Sequence, residues 1–197
     1  MTQEEIEFFN RIAPDWDGME CRSLPHRINH ILDMMDIREG MKVADLGTGT
    51  GVLLPYLSGR VGPDGIITAI DGASGMLDIA RKKYEKPGGN IRFLLNDFEE
   101  KMPSERFDII ILYCVYPHLQ HKVQTLRTLK SDNLNKGGAV FIAFPNDESF
   151  VNHIHEDKKS TADLLPSAPA LALELFDAGF SAKVLEYSED AYLLRIS

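Results

Sequence analysis

Three glycines at alternate positions, Gly47, Gly49 and Gly51, follow a short apolar run that ends near the acid Asp45. Glycine lets the backbone turn tightly and lets a ligand approach closely, because no Cβ blocks positive φ angles or the contact. The third glycine comes one residue too early for the dinucleotide pattern G-x-G-x-x-G, and a carboxylate at Asp45 would repel a pyrophosphate. The segment therefore predicts a nucleotide-cofactor loop that suits a cationic ligand.

A second acid, Asp71, closes the next apolar run along the chain, residues 66–70. In Rossmann-like folds, an acid at the end of the second strand accepts hydrogen bonds from the ribose hydroxyls of a bound cofactor. This position supports a nucleotide-like ligand, although it does not choose between cofactors.

The pattern D-x-G-x-G-x-G at residues 45–51 resembles motif I of the class I S-adenosylmethionine-dependent methyltransferases. The resemblance is to members of the methyltransferase type 11/25 group that act on small molecules, and it covers roughly residues 40 to 197. In that family the acid of motif I helps to hold the methionine part of the cofactor. The resemblance therefore implies S-adenosylmethionine as the cofactor and methyl transfer as the activity.

The same resemblance implies roles for residues that follow successive strands. Residues 71–83 resemble the family segment that begins a helix and sets a methionine near the adenine, with Ser74 as a candidate N-cap. An acid at Asp97 would bond the adenine amine, and Phe98 would pack on the ring. The expected cofactor-binding residues are Asp45, Gly47, Thr48, Gly49, Gly51, Asp71, Gly72, Met76, Asn96, Asp97, Phe98 and Tyr113.

The six histidines occur in pairs: His26 with His30, His118 with His121, and His153 with His155. Because histidine changes charge near neutral pH, one of them could take a proton from a hydroxyl, amine or thiol acceptor. His118 is the first candidate, since residues 115–119 resemble the family segment after strand four. His153 and His155 are the next candidates, and they face the same side if their segment is extended.

A metal site is not predicted, because no Cys-x-x-Cys or His-Glu-x-x-His motif supports one. Two alternatives to a methyltransferase stay open. One is a non-catalytic protein of the same fold that binds a cofactor, a metal or a tetrapyrrole through its histidine pairs. The other is a nucleotide-dependent oxidoreductase, which the glycine spacing and Asp45 disfavour.

The elements that must position these residues alternate between strand and helix along the chain, a pattern typical of an α/β fold. We expect a Rossmann-like, seven-stranded, mostly parallel sheet with helices on both faces and a C-terminal antiparallel hairpin. The predicted strands are residues 43–46, 66–70, 91–95, 107–113, 139–144, 182–187 and 191–196. The main predicted helices are residues 2–12, 23–35, 120–132 and 168–178, with another beginning near Ser74.

The chain is expected to form a single methyltransferase domain, residues 1–197. Its predicted parts are an N-terminal helical lid or substrate region (1–40), a cofactor-binding core (41–144), a substrate-side insertion (145–169), and a final helix and hairpin (170–197). Within the first part, Thr2 and Glu5 form a capping box that begins a helix. Residues 9–17 resemble the F-x-x-I-A-x-x-Y-D segment of quinone-type methyltransferases, which folds over cofactor and substrate.

The net charge of −9 argues against a nucleic-acid substrate, because phosphate backbones are usually met by a basic patch. A small-molecule acceptor fits better. Cys21 and Cys114 are too few for a disulfide framework, and no signal peptide or membrane-spanning run is visible, so a cytoplasmic location is expected. The oligomeric state stays open, with a homodimer as one possibility.

Overall fold

A computed structural model of the protein describes residues 1–19, 24–157 and 164–197, with residues 19 and 155–157 described by their backbone alone. The strands are β1 (Lys42–Leu46), β2 (Ile66–Asp71), β3 (Ile91–Leu95), β4 (Phe107–Tyr113), β5 (Leu134–Phe144), β6 (Ala182–Ser188) and β7 (Ala191–Ile196). The α-helices are α1 (Gln3–Ile12), α2 (Trp16–Met19), α3 (Pro25–Asp33), α4 (Leu54–Val61), α5 (Ser74–Tyr84), α6 (Lys122–Thr128), α7 (Glu148–Asp157) and α8 (Ala168–Asp177).

The strands form one seven-stranded sheet in the order β3-β2-β1-β4-β5-β7-β6. Strands β1 to β5 pair in parallel, whereas β7 runs antiparallel to both β5 and β6. The predicted fold class is therefore confirmed. Strand β1 lies between β2 and β4, so the strand order reverses direction at β1. In open α/β sheets, ligands bind at such a switch point, beyond the carboxyl ends of the strands.

The central strands are buried on both faces, which explains their continuous apolar runs. On one face, Ala44 and Leu46 of β1 belong to a large core cluster. On the opposite face, Val43 packs in a second cluster with Ile109 and Ile111 of β4. Because side chains alternate along a strand, one short segment anchors both layers and fixes the place where β1 ends.

The N-terminal helices begin much as the sequence predicts. In α1, the Thr2 hydroxyl accepts a hydrogen bond from the Glu5 backbone, and the Glu5 carboxylate accepts one from the Thr2 backbone, so the capping box is confirmed. One side of α3, which lies within the predicted helix 23–35, is buried together with the turn that follows it: Ile28, Ile31, Leu32 and Met35.

The start of α5 differs from the sequence expectation. Ala73, not Ser74, is the N-cap residue, and it makes no capping side-chain hydrogen bond. The Asn10 side chain of α1 instead accepts a hydrogen bond from the Gly75 backbone nitrogen, at 2.7 Å. The capping oxygen therefore comes from a residue that is distant in sequence.

Two further segments differ from the sequence expectation. The fifth strand begins earlier than the predicted 139–144, because residues 134–138 are the first part of β5, and the predicted helix 120–132 is α6 followed by a π-helical turn at Leu129–Asn133. Residues 148–157 form α7 rather than extended chain. The condition under which His153 and His155 were expected to face one side, an extended segment, is therefore not met.

Candidate active site

Acidic and aromatic residues lie at or next to the carboxyl ends of four neighbouring parallel strands. Asp45 lies in β1 just before its last residue, Asp71 ends β2, Asp97 follows β3, and Tyr113 ends β4. Because the carboxyl ends of parallel strands meet at one edge of the sheet, these residues lie on the ligand-binding side of the fold.

The glycine loop after β1 needs backbone conformations that other residues rarely adopt, with φ of +72° at Gly47 and +57° at Gly49. A Cβ at Gly47 would lie 2.4 Å from Cγ2 of Val115, so this glycine allows the segment after β4 to pack on the loop. A Cβ at Gly49 would meet no described atom within 4 Å. Gly49 therefore lies at an open position that an incoming ligand can approach closely.

The carboxylate of Asp71 organises the loop on both sides. One oxygen accepts a hydrogen bond from the Gly49 backbone nitrogen at 2.8 Å, and the other accepts one from Ala73 at 2.8 Å. Burial raises the pKa of Asp71 to about 6, although the N–H groups of Ala73, Gly49 and Gly72 act in the opposite direction. Asp71 thus titrates much closer to neutrality than an exposed aspartate does.

Asp45 is still more deeply buried, with 1% of its surface exposed. Its carboxylate accepts a hydrogen bond from the Thr48 hydroxyl at 2.7 Å. Burial raises its pKa to about 7, the Thr48 hydroxyl lowers it, and the negative charge of Asp71 raises it further. Two buried carboxylates with raised pKa values suit a positively charged ligand, because a nearby cation favours their ionised forms.

The residues expected around the adenine lie beside the N-terminal helix. Met76 packs in a small buried cluster with Ala13 and Ala73. A Cβ at Gly72 would be 3.9 Å from Cδ1 of Ile6, so α1 passes over this glycine.

The expected residues after β3 and at the end of β4 have different surroundings. The Asn96 backbone nitrogen donates to the Asp71 carbonyl oxygen at 2.9 Å, which ties the ends of β3 and β2 together. The Asp97 side chain is 24% exposed. Phe98 and Tyr113 are each 6% exposed and belong to the two core clusters. The roles of all these residues in cofactor binding stay predictions.

The N-terminal segment also contacts the glycine loop directly, which the sequence did not reveal. The Thr50 hydroxyl donates to the Asp17 carboxylate at 2.7 Å. Lys83 of α5 pairs with the same carboxylate and donates to the Thr50 carbonyl oxygen. Residues 10 and 17 thus connect the first two helices to α5 and the loop. No local sequence signal marks these contacts, since their partners lie more than thirty positions away.

His118 lies in a 3₁₀ turn, Tyr116–His118, just beyond the end of β4. Its Nδ1 is 2.9 Å from Oε1 of Glu5, and its ring stands edge-on to Phe9 with the centroids 5.4 Å apart. Burial would raise the pKa of Glu5, but the hydrogen bonds from His118 and Thr2 and the charge on His118 lower it to about 2. Glu5 was not among the sequence candidates for the site.

No described contact brings the other two candidate bases, His153 and His155, close to His118 or the glycine loop. His153 is exposed on α7, and the His155 side chain lies outside the described residues. Among the side chains that the structure describes, no group of three or more His, Cys, Asp or Glu residues has the arrangement of a metal site. No helix in the described ranges is long and apolar enough to cross a membrane.

Comparison with known proteins decides which family this architecture represents. A family model described as a methyltransferase domain matches residues 37–190. The chain belongs to this family. The ubiquinone/menaquinone biosynthesis C-methyltransferase UbiE of Idiomarina loihiensis is 34% identical over 143 residues, which are 69% of this chain and 57% of that protein. The malonyl-[acyl-carrier protein] O-methyltransferase of Acetivibrio thermocellus is 30% identical over 138 residues, which are 69% of this chain and 47% of that protein.

The fold of this methyltransferase domain also matches solved structures over nearly its whole length. The DhpI–SAH complex superposes with a TM-score of 0.75 at 19% identity, covering 98% of this chain and 94% of that one. The family match and the two relatives confirm the resemblance to class I S-adenosylmethionine-dependent methyltransferases and, with it, S-adenosylmethionine as the cofactor. The chain spans about half the length of the curated relatives it matches.

The residues at the carboxyl edge fit this cofactor. Gly49 leaves open space where a side chain would stand, so the loop can meet a ligand with its backbone. The buried carboxylates of Asp45 and Asp71 suit its positively charged sulfonium and ammonium groups. Asp71 is also the acid at the end of β2 that bonds ribose in Rossmann-like folds.

Proposed function

We propose that this chain transfers a methyl group from S-adenosylmethionine to a small-molecule acceptor by in-line displacement. The observation that carries the proposal is the pair of buried acids, Asp45 and Asp71, around a glycine loop with open space at Gly49. This arrangement favours a cationic nucleoside ligand over a pyrophosphate.

The main contribution of the protein to this reaction would be to position the cofactor and the acceptor. The cofactor supplies a methyl group already activated on a sulfonium, so the chain has to hold the acceptor in line behind that methyl and keep water away. The N-terminal segment is suited to the second task, because Asn10 bonds the start of α5 and Asp17 bonds Thr50 of the loop. We assign residues 1–40 the role of a lid over the site.

Cofactor binding is assigned to the residues at the strand ends. Asp71 would bond the ribose hydroxyls while it keeps its hydrogen bonds to the loop, and Asp45 would lie toward the methionine end. Met76 and Asp97, at the side where α1 passes, would border the adenine. Tyr113 and Gly47 would line the remaining side of the cofactor site, next to the segment that follows β4.

His118 is the proposed general base for an acceptor that loses a proton. It lies next to the segment that packs on Gly47, and its side chain is 13% exposed. A base within hydrogen-bond reach of the acceptor would contribute about 10²–10⁴-fold to the rate. An acceptor that is already anionic would not need it.

The class of acceptor follows from charge and from the relatives. With a net charge of −9, the chain is poorly suited to a nucleic-acid backbone. The two relatives are named for C- and O-methylation, so the acceptor atom is not chosen by similarity. We place the acceptor between the lid and the described part of the predicted insertion, residues 145–157 and 164–169, at the carboxyl ends of β4 and β5, where α/β folds bind their ligands.

The proposal is tested with methyl-labelled S-adenosylmethionine and a panel of hydroxylated aromatics, quinone precursors, amines, thiols and carboxylates. We expect label to appear in an extractable small molecule, and we expect the transfer to fall at least tenfold in Asp71→Asn. A control variant, Asp78→Asn, changes an exposed acid on α5 and should keep full transfer. Label that appears only in added protein or nucleic acid would overturn the small-molecule assignment.

A further inference from the structure

Glu5 and His118 form a buried pair between the N-terminal helix and the segment after β4. Oε1 of Glu5 is 2.9 Å from Nδ1 of His118, although 113 positions separate the two residues. Their side chains are 5% and 13% exposed. The contact therefore links the proposed lid to the proposed base.

The second oxygen of the same carboxylate is also engaged. Oε2 of Glu5 accepts hydrogen bonds from the Thr2 backbone nitrogen at 2.9 Å and from the Thr2 hydroxyl at 3.1 Å. This is the capping box that begins α1, and such a box works with glutamine as well as glutamate. Helix capping alone thus gives no reason for a buried negative charge at this position, where burial opposes ionisation.

The charge does have a consequence for the imidazole. Burial opposes ionisation of Glu5, but hydrogen bonds from His118 and Thr2 and the charge of a protonated His118 lower its pKa to about 2. When the ring is neutral, the hydrogen bonds from Thr2 still favour the carboxylate, which only accepts hydrogen bonds. Nδ1 of His118 must then carry the proton that Oε1 accepts. In the neutral ring that tautomer puts the lone pair on Nε2, the nitrogen that a base would use.

We propose that Glu5 is a positioning residue for His118: it fixes the tautomer and orientation of the imidazole when the N-terminal helix is docked. The inference rests on the proposed function. As the acceptor's O–H, N–H or S–H bond breaks, Nε2 takes the proton and the acceptor atom bonds the methyl group, while the sulfonium becomes a neutral thioether. The resulting imidazolium is stabilised by the Glu5 carboxylate and later returns its proton to water.

Glu5→Gln separates capping from charge. The amide oxygen of glutamine can still accept from the Thr2 backbone, but its NH₂ group would face Nδ1 and donate to it. The neutral ring must then move its proton to Nε2, which removes the lone pair that a base needs. Glu4→Gln is the matched control, because Glu4 is an exposed residue in the same first turn.

The test is nitrogen-15 NMR of the histidine rings in the full chain with S-adenosylhomocysteine, at a pH where the His118 ring is neutral. His118→Asn identifies the signals of this ring. We expect the Nδ1–H tautomer in the native protein and in Glu4→Gln, and the Nε2–H tautomer in Glu5→Gln. A native ring protonated on Nε2, or a tautomer unchanged in Glu5→Gln, overturns the inference.

A titration of each sample with S-adenosylhomocysteine separates this inference from the proposed function. If the native protein does not bind the ligand, the proposed function fails, whereas the ring tautomer is still read from the spectrum. If it binds and the tautomer is wrong, only the role of Glu5 fails. If Glu5→Gln does not fold, the tautomer of the native protein alone decides the outcome.

Discussion

The Asp71 carboxylate accepts the Gly49 backbone N–H at 2.8 Å, so the end of β2 holds the glycine loop that leaves β1. The backbone supports the same arrangement, since Gly47 and Thr48 both donate to the Ile70 carbonyl oxygen. In the proposed site, one acid would therefore both shape the loop and present its charge to the ligand. This dual use predicts that the loop and the cofactor are sensitive to the same side chain.

Asp71→Asn is predicted to weaken S-adenosylhomocysteine binding by about 10- to 100-fold. Hydrogen bonds to a charged group contribute about 1.5–3 kcal/mol, and the amide has only one oxygen to share among Gly49, Ala73 and the ligand. Calorimetric titration measures the change, and Asp78→Asn is the control. An unchanged affinity in Asp71→Asn would place the ribose elsewhere.

Asp45→Asn is predicted to stabilise the ligand-free protein while weakening cofactor binding. The pKa of Asp45 is raised from 3.8 to about 7, so its contribution to the free energy of unfolding is fully present below pH 3.8 and is lost as pH rises through 7. Asparagine stays neutral and can still accept from Thr48. The free energy of unfolding of Asp45→Asn should therefore exceed that of the native protein by an amount that grows from pH 4 to pH 8, to at most about 4 kcal/mol.

Denaturant unfolding of the native and Asp45→Asn proteins across this pH range measures the difference. Asp71 titrates with the same sign, but it is present in both proteins, so its effect largely cancels. A variant that is less stable than the native protein at pH 8 would mean that the Asp45 charge is compensated in the folded state, contrary to this account.

Asn10→Ala is predicted to lower the free energy of unfolding by about 1 kcal/mol, because it removes the oxygen that caps Gly75 at the start of α5. Ser74→Ala should cost less, since Ser74 is not the N-cap residue. Thermal unfolding compares the two variants directly. A larger loss in Ser74→Ala would restore the capping role that the sequence suggested.

Gly47→Ala and Gly49→Ala are predicted to fail in different ways. Both residues have positive φ, which costs other L-residues about 1–2 kcal/mol, but only at Gly47 does the added Cβ meet Val115, at 2.4 Å. Gly47→Ala should therefore be the less stable variant in denaturant unfolding. Gly49→Ala should stay folded and lose affinity for S-adenosylhomocysteine. Equal losses of stability would contradict the packing of Val115 on the loop.

The sequence predicted the sheet well because its signals are local. Apolar runs mark the strands, and Asp45, Asp71 and Asp97 lie at or just beyond the carboxyl ends of β1, β2 and β3, as their positions in the sequence predict. The capping box of Thr2 and Glu5 is equally local. Where local preference was ambiguous, as in residues 148–157, the helix α7 was missed.

The sequence could not predict the contacts that join distant segments. Asn10 with Gly75, Asp17 with Thr50, and Glu5 with His118 each depend on how the first helices dock on the sheet. Their residue types are common on exposed helix surfaces, so nothing in the pattern distinguishes them. Glu5 in particular was recognised as a capping residue, whereas its contact with His118 became visible only in three dimensions.

The most direct measurement is calorimetric titration of the native protein with S-adenosylhomocysteine, the product, which binds without reacting. We predict micromolar binding with one ligand per chain, and clear weakening in Asp71→Asn. No binding at millimolar concentration, in protein shown to be folded and free of ligand, would contradict the assignment of the carboxyl-edge site to this cofactor.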